Sequence, residues 1–305
     1  MQKIVFPTLL FLILIHVLGC YGLYNIITNP AYNNTLIYVQ FLLLIFVGLS
    51  ATAGGHRLFT HQSYEAVLPV HFIFMIGLAL GCTGSAFGWI RTHRTHHQYT
   101  DTDLDPHDAR KGFWWSHFGW NIYTINPDIQ KARYLQNTKT LRFWKIHYII
   151  DEYYTLFALV LNTCIPVFIM KCLNISNIPY EQYLFTTSTR IMIGINMAAS
   201  VNSFAHVESI FGTKPWSKKC TAFDNLLISL FTWGEGWHNW HHYRSSDWRA
   251  SGYHNHFIYY NPAAILIRTL AMFGLAYNLV ETHENKDDKV DLIKNKGKYI
   301  IRFKK

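Results

Sequence analysis

Four runs of mainly apolar residues dominate the pattern along the chain, at 4–24, 36–53, 154–173 and 185–201. Each is close to the roughly 20 residues that an α-helix needs to cross a bilayer. The first two are parted only by a short loop containing Asn29 and Pro30. A cleaved leader is the other reading of the first run. The single preceding charge, Lys3, the missing small-x-small cleavage site and the hairpin partner directly after it favour a retained helix. The fourth run holds Thr186, Thr187, Ser188 and Arg190, which in such a segment must face protein or the interface. Runs 67–86 and 262–280 are ambiguous. Histidines stand on both sides of the first of these, at His56 and His61 and again at His93, His96 and His97. A crossing would put the two sets on opposite faces, so 67–86 is read as interfacial or re-entrant. By the same logic 262–280, which carries Arg268, does not cross.

The pattern predicts an all-α integral membrane protein with four transmembrane helices. A helical cap built from residues 54–153 and 202–305 lies on the cytosolic face, and the whole of 1–305 forms one domain. Composition agrees: half of the residues are hydrophobic and 15% are charged, against roughly a quarter in soluble domains. A net charge of +9 raises nucleic acid as a partner, but the charge is distributed otherwise. Residues 24–35 hold no lysine or arginine and residues 171–184 only Lys171, whereas the two cap segments are basic. That is the positive-inside pattern with both termini cytosolic, and it argues against a nucleic-acid binder. The sequons at Asn33 and Asn174 fall in the expected lumenal loops. The five cysteines lack paired spacing, which excludes a disulfide framework and a zinc ribbon.

The seventeen histidines need a separate explanation. Three clusters stand out: His56 with His61; His93, His96 and His97; and His238, His241 and His242. In the second and third, positions i, i+3 and i+4 project from one helix face, so two or three imidazoles can converge on a metal pair. The i, i+5 spacing of the first suits the cytosolic end of a helix that is unwinding. Imidazole suits iron, zinc and copper. One cluster could be interfacial or hydrogen-bonded core; three, each beside the cytosolic end of an apolar run, point to a metal site. Such a site offers what acid–base chemistry cannot, the oxidation of an unactivated methylene.

At these residues the chain resembles the membrane fatty-acyl desaturase family, that of stearoyl-CoA (acyl-CoA delta-9) desaturase. The similarity runs from Gly55-His56-Arg57-Leu58-Phe59-Thr60-His61 through Arg91-Thr92-His93-Arg94-Thr95-His96-His97 and Asp105-Pro106-His107. It continues in Asn202-Ser203-Phe204-Ala205-His206, in Gly234-Glu235-Gly236-Trp237-His238-Asn239-Trp240-His241-His242 and in Gly274-Leu275-Ala276-Tyr277. The resemblance implies two iron ions held by His56, His61, His93, His96, His97, His206, His238, His241 and His242, with Asn202 reaching one iron through water. It implies an enzyme of the endoplasmic reticulum membrane that takes two electrons from cytochrome b5, uses dioxygen and places a cis double bond, delta-9 most commonly, in a saturated long-chain fatty acyl-CoA. The substrate-binding residues it implies are Trp89, Arg91, Leu44, Gly48 and Ala199, and membrane lipid surrounds the stem.

The chain departs from the family pattern in three places. The third box continues as Tyr243-Arg244-Ser245-Ser246-Asp247-Trp248, where Phe-Pro-x-Asp-Tyr is usual. Ala198-Ala199-Ser200 replaces Thr-Trp-Leu, and losing an indole there widens or straightens the expected acyl tunnel. Family residues that bind CoA are replaced by Gly84-Ser85, Thr92 and Thr124-Ile125, while Arg91 remains and Lys131 and Arg133 can compensate. The rival expectations are a desaturase of lipid-linked acyl chains or a fatty-acyl hydroxylase on the same irons. From another class comes a membrane zinc or copper transporter or sensor.

Overall fold

The structure, a computed structural model, describes residues 3–207, 212–253, 255–256 and 258–282, and the backbone of 290–295 and 298–303. Parts of the expected cap, residues 208–211 and 283–289 among them, lie outside the described residues. Helix α1 (Phe6–Thr28) leads to α2 (Asn34–Leu49), which runs on without a break into a π-helical segment, Ser50–Thr60. Helices α3 (Leu68–Leu80) and α4 (Ala86–Tyr99) follow, then the short α5 (Trp120–Ile122), α6 (Pro127–Tyr134) and α7 (Trp144–Glu152). Helices α8 (Tyr154–Cys172) and α9 (Tyr180–Ser203) form a second long hairpin. The chain closes with α10 (Leu226–Phe231), α11 (His238–Tyr243) and α12 (Pro262–Met272). Strand β1 (Glu65–Ala66) pairs antiparallel with β2 (Ala276–Tyr277), tying the segment before α3 to the one after α12, and β3 (Val290–Asn295) pairs with β4 (Lys298–Phe303).

Among the described residues, three helices are long and apolar enough to cross a membrane: Phe6–Thr28, Asn34–Thr60 and Tyr154–Cys172. Their outer faces are apolar and exposed, as at Ile13, Val17 and Ile27 of α1 and Leu156, Leu159 and Phe168 of α8. Helix α9 has 24 residues, about 36 Å at 1.5 Å per residue, but it is more polar. Its polar groups turn inward, as the sequence requires. Arg190 donates from Nε to Gln40 Oε1 (2.8 Å) and from Nη1 to the Leu80 carbonyl (2.8 Å), and its Nη2 meets Asn162 Oδ1. Gln40 Nε2 donates in turn to Thr187 Oγ1, and Thr189 Oγ1 to the Gly19 carbonyl of α1. One guanidinium therefore joins α2, α3, α8 and α9 where water is excluded. Glycines at 19 and 22 bring α1 against α9: a Cβ at Gly22 would strike the Phe185 carbonyl and Thr189, the close approach that small residues permit between apolar helices.

Helix α3 spans only 13 residues, about 20 Å, too short for the hydrocarbon core. Cys82, with φ of 51°, and Gly84, with φ of 100°, then turn the chain back into α4, which the Ser85 side chain caps. After residues 67–86 the chain thus comes back to place His93 and His97 beside His56 and His61. The expectation of an unwinding helix at His56 is corrected: the helix widens instead. Its i→i+5 bonds include His61 N–H to the His56 carbonyl at 3.1 Å, and this winding brings residues five apart onto one face. Gly54 and Gly55 admit Phe74, Leu78 and Trp89 against the widened turn, in the core cluster that joins the segment to α3, α4 and α12.

His71 and His147 make a separate buried contact, Nδ1 to Nε2 at 2.9 Å, against Phe59. Burial, with Arg142 adding to it, pushes His71 down to about 4; burial, with His71 adding to it, pushes His147 down to about 3. Both are neutral at pH 7. An unfolded chain takes up these protons near 6.5, so from there down to about 4 the unfolded state binds more protons and stability falls with pH. Replacing both (His71→Leu with His147→Leu) should make the fall in melting temperature across that window shallower than in the parent. Equal slopes in a detergent thermal-shift series would contradict the assignment.

Candidate metal centre

Three helical segments and one helix end bring the clusters together. The π-helical turn presents His56 and His61, and one face of α4 presents His93, His96 and His97. His206 follows the end of α9, and α11 carries His238, His241 and His242. Their nitrogens gather in two groups, within each of which they lie within 4.8 Å of one another. The first holds His56, His61, His93, His97 and His241; the second holds His96, His206, His238 and His242. Two of the three clusters are divided: α4 gives two imidazoles to the first group and one to the second, and α11 does the reverse, while His56 and His61 both go to the first. In the first group Nε2 of His241 lies 2.7 Å from that of His97 and 3.0 Å from that of His56. In the second, Nε2 of His238 lies 2.9 Å from that of His206 and 3.2 Å from that of His242.

The nine rings are buried or half-buried. Burial first, and neighbouring imidazoles second, push His61, His93, His96, His97, His206, His241 and His242 well below their usual value, and His238 to about 3. A neutral imidazole has one N–H and one lone pair, and acceptors at the outer nitrogens decide which is which. Nδ1 of His56 lies 2.7 Å from Glu235 Oε2, and Nδ1 of His96 lies 2.9 Å from Asp105. Nδ1 of His206 lies 2.8 Å from Thr221 Oγ1, which donates to Asp101 Oδ1 at 2.6 Å. With the proton held at Nδ1, the Nε2 lone pair faces inward, the usual arrangement behind a metal-bound histidine. Inward lone pairs about 3 Å apart repel unless a cation lies among them, and His61 Nε2 has no hydrogen-bond partner. The donor set therefore fits metal ions of the iron, copper and zinc type.

Glu235 is fixed from behind. Arg57, on the π-helical turn, donates to its Oε1 from Nη2 (3.0 Å) and Nε (3.2 Å), and from Nη1 to Asn261 Oδ1 (3.2 Å). Burial raises the Glu235 carboxyl, but His56 and Arg57 outweigh it and hold it at about 2. The sequence reading missed Glu235, Asp105 and the Thr221–Asp101 pair as supports. An acid three residues before His238 and another nine residues after His96 were the available signals. Asp105 also lies with His96 and His107 in a third grouping of possible metal-binding side chains.

A cavity of about 440 Å³, largely apolar, opens beside His56 and His93. Of the substrate-binding residues expected from the sequence, Leu44, Gly48, Trp89 and Ala199 line it, and so does Asn202. Asn202 is a turn before His206. Arg91 does not line the cavity; its guanidinium stacks on Phe87 and Tyr134. Arg133 does, with Nη2 donating to Thr92 Oγ1 at 2.8 Å, while Lys131 does not.

The described fold and site define a predominantly helical protein with three helices suited to a membrane and a buried, all-histidine site able to hold metal. No family model matches the chain. It is 36% identical over 290 residues to an acyl-CoA Delta(11) desaturase of Trichoplusia ni, covering 93% of this chain and 77% of that protein. It is 34% identical over 278 residues to the stearoyl-CoA desaturase of Bos taurus, covering 90% and 74%, and 32% identical over 270 residues to a Delta(9)-fatty-acid desaturase of Caenorhabditis elegans, covering 87% and 75%. The chain belongs to the acyl-CoA desaturase family of oxidoreductases.

The support that Glu235 gives His56 can be measured as metal retention. Glu235→Ala should lower metal affinity about 10- to 100-fold, seen as metal lost during dialysis against a graded chelator, with Glu235→Gln intermediate. Parent-like retention in both variants would show that the carboxylate does not support the site.

Proposed function

We propose that the chain is a fatty acyl-CoA desaturase that introduces a cis double bond, at delta-9, into a saturated long-chain acyl-CoA, using dioxygen and two electrons from cytochrome b5. The observation that carries this reading is the gathering of nine imidazoles in two groups, with His56 and His93 lining a largely apolar cavity. In this reading the groups each hold one iron ion, with Asn202 completing the second through water. The chain is a single domain of the endoplasmic reticulum membrane. Helices α1, α2, α8 and α9 span it, the remaining segments form a cytosolic cap, and both termini are cytosolic. Relatives named for delta-9 and for delta-11 desaturation make bond position the finest part of the proposal.

Iron bound there would supply the oxidising power toward an unactivated C–H bond that no side chain has. The chain's own residues do the rest. Glu235, Asp105 and Thr221 keep the Nδ1 protons of His56, His96 and His206 away from the inner nitrogens. Leu44, Gly48 and Ala199 bound a dry path for the acyl chain, and Trp89 is fixed beside it by its Nε1–H to the Thr83 carbonyl at 3.0 Å. Water excluded from that path cannot intercept the oxidant. Arg133 places a positive charge at the cavity wall, suited to an anionic head group.

Lipid analysis of a desaturase-deficient host expressing the chain tests the reading. A new cis double bond in long-chain acyl groups is expected; a hydroxyl product, or none, would overturn it. His97→Ala and His241→Ala should reduce product to background while membrane insertion is unchanged. Ala199→Trp should shift the chain-length profile, and an unshifted profile would count against a wall at that position.

A further inference from the structure

The cavity lacks an indole at 199, but another enters it from the loop before Glu235. Trp233 lines the cavity, and so does Gly48 of α2. A Cβ built on Gly48 would fall inside the Trp233 indole, overlapping Nε1 and Cδ1. The ring therefore occupies the space that the glycine leaves. Its backbone is in the left-handed region, with φ of 59°, an uncommon conformation for so large a side chain and one that persists only when surrounding structure enforces it. Here the enforcement is visible. The Trp233 carbonyl accepts from Ala263 N–H at the start of α12 (3.2 Å), and Gly234 N–H donates to the Ser229 carbonyl (3.0 Å). Gly234 itself has φ of 107° and leaves no room for a Cβ against Asn261. The ring itself is not held by a hydrogen bond, since the indole Nε1 has no partner among the described residues. What the strained turn achieves is the placement of the ring on Gly48.

Both members of this contact are tied to the histidine site. Glu235, two residues after Trp233, meets His56, and Gly48 lies eight residues before His56 on the same unbroken helical run, roughly 10 Å along its axis. Leu44, Val47 and Gly194 pack together around the part of the cavity next to that contact. Resting on the acyl-CoA reading above, we infer that Trp233 seated on Gly48 determines specificity: it sets the length and path of the acyl chain accepted beneath the histidine groups. Trimming the ring adds room on the membrane side of the site, and adding a methyl group at 48 drives the ring out into the cavity.

The test uses full-length protein in detergent and reads which saturated acyl-CoA, in a graded series of chain lengths, gives the largest thermal stabilisation. This readout does not depend on turnover. Trp233→Val should move the optimum longer by about two carbons, in keeping with the volume a smaller side chain frees, and Trp233→Phe should fall between. Gly48→Ala should move it shorter or lose stabilisation. The double variant, Gly48→Ala with Trp233→Val, should recover stabilisation, because the two changes meet at one point and cannot be additive. If the parent responds to the series while the optimum stays fixed in Trp233→Val and Trp233→Phe, the role of Trp233 is overturned and the acyl-CoA reading stands. Additive effects, or a double variant no better than Gly48→Ala, overturn the contact as the determinant. A parent stabilised by no acyl-CoA overturns the substrate reading and this inference with it.

Discussion

Nine imidazoles packed nitrogen to nitrogen in two groups are an unstable arrangement in isolation, and the rest of the fold is organised to impose it. Burial, and repulsion from neighbouring imidazolium charge, remove the option of protonating rings such as His241 and His242. Carboxylates and a hydroxyl behind three of the rings remove the option of flipping. What remains is a site whose favourable partner is a metal cation. Arg57 shows how far the enforcement reaches: a fully buried guanidinium neutralises Glu235 and so secures His56 from two shells away. Removing a member of such a chain leaves a buried charge unpaired, and that cost is large compared with the value of the pair itself.

The bundle below follows the same rule with a different group. Arg190 is buried among apolar helices and donates to Gln40, Asn162 and the Leu80 carbonyl. Those bonds fix α2, α8 and α9 relative to α3, and α2 is continuous with the turn carrying His56. A polar knot inside the stem thus holds the floor of the cavity in register with the histidine groups above it. The apolar residues outside contribute little to that register, since lipid and leucine are alike in polarity.

Much of this was legible in the chain. Periodicity identified the long helices, and the cost of burying polar groups identified the inward demand of Thr186 to Arg190. The histidine spacing identified eight of the side chains that the structure gathers, and the family resemblance added His206. The division into five and four was not legible, since it depends on contacts such as His56 with His241, 185 residues apart. Nor was the widened helix: i, i+5 spacing reads as irregular until the hydrogen-bond ladder is known. Arg91, expected by resemblance to bind substrate, rests against the rings of Phe87 and Tyr134, contacts that no spacing in the chain announces. Trp233 gave no signal, because a tryptophan beside two glycines predicts a turn and not the direction of its ring.

The π-helical turn carries a consequence for how sequences of this kind can diverge. Loops drift in length with little penalty, but residues 50–60 form a counted spacer between a membrane helix and two of the rings. Losing or gaining one residue there would rotate everything beyond it by roughly a quarter turn, carrying His61 away from its group while leaving hydrophobicity and composition unchanged. Insertions and deletions should therefore be purged from this stretch.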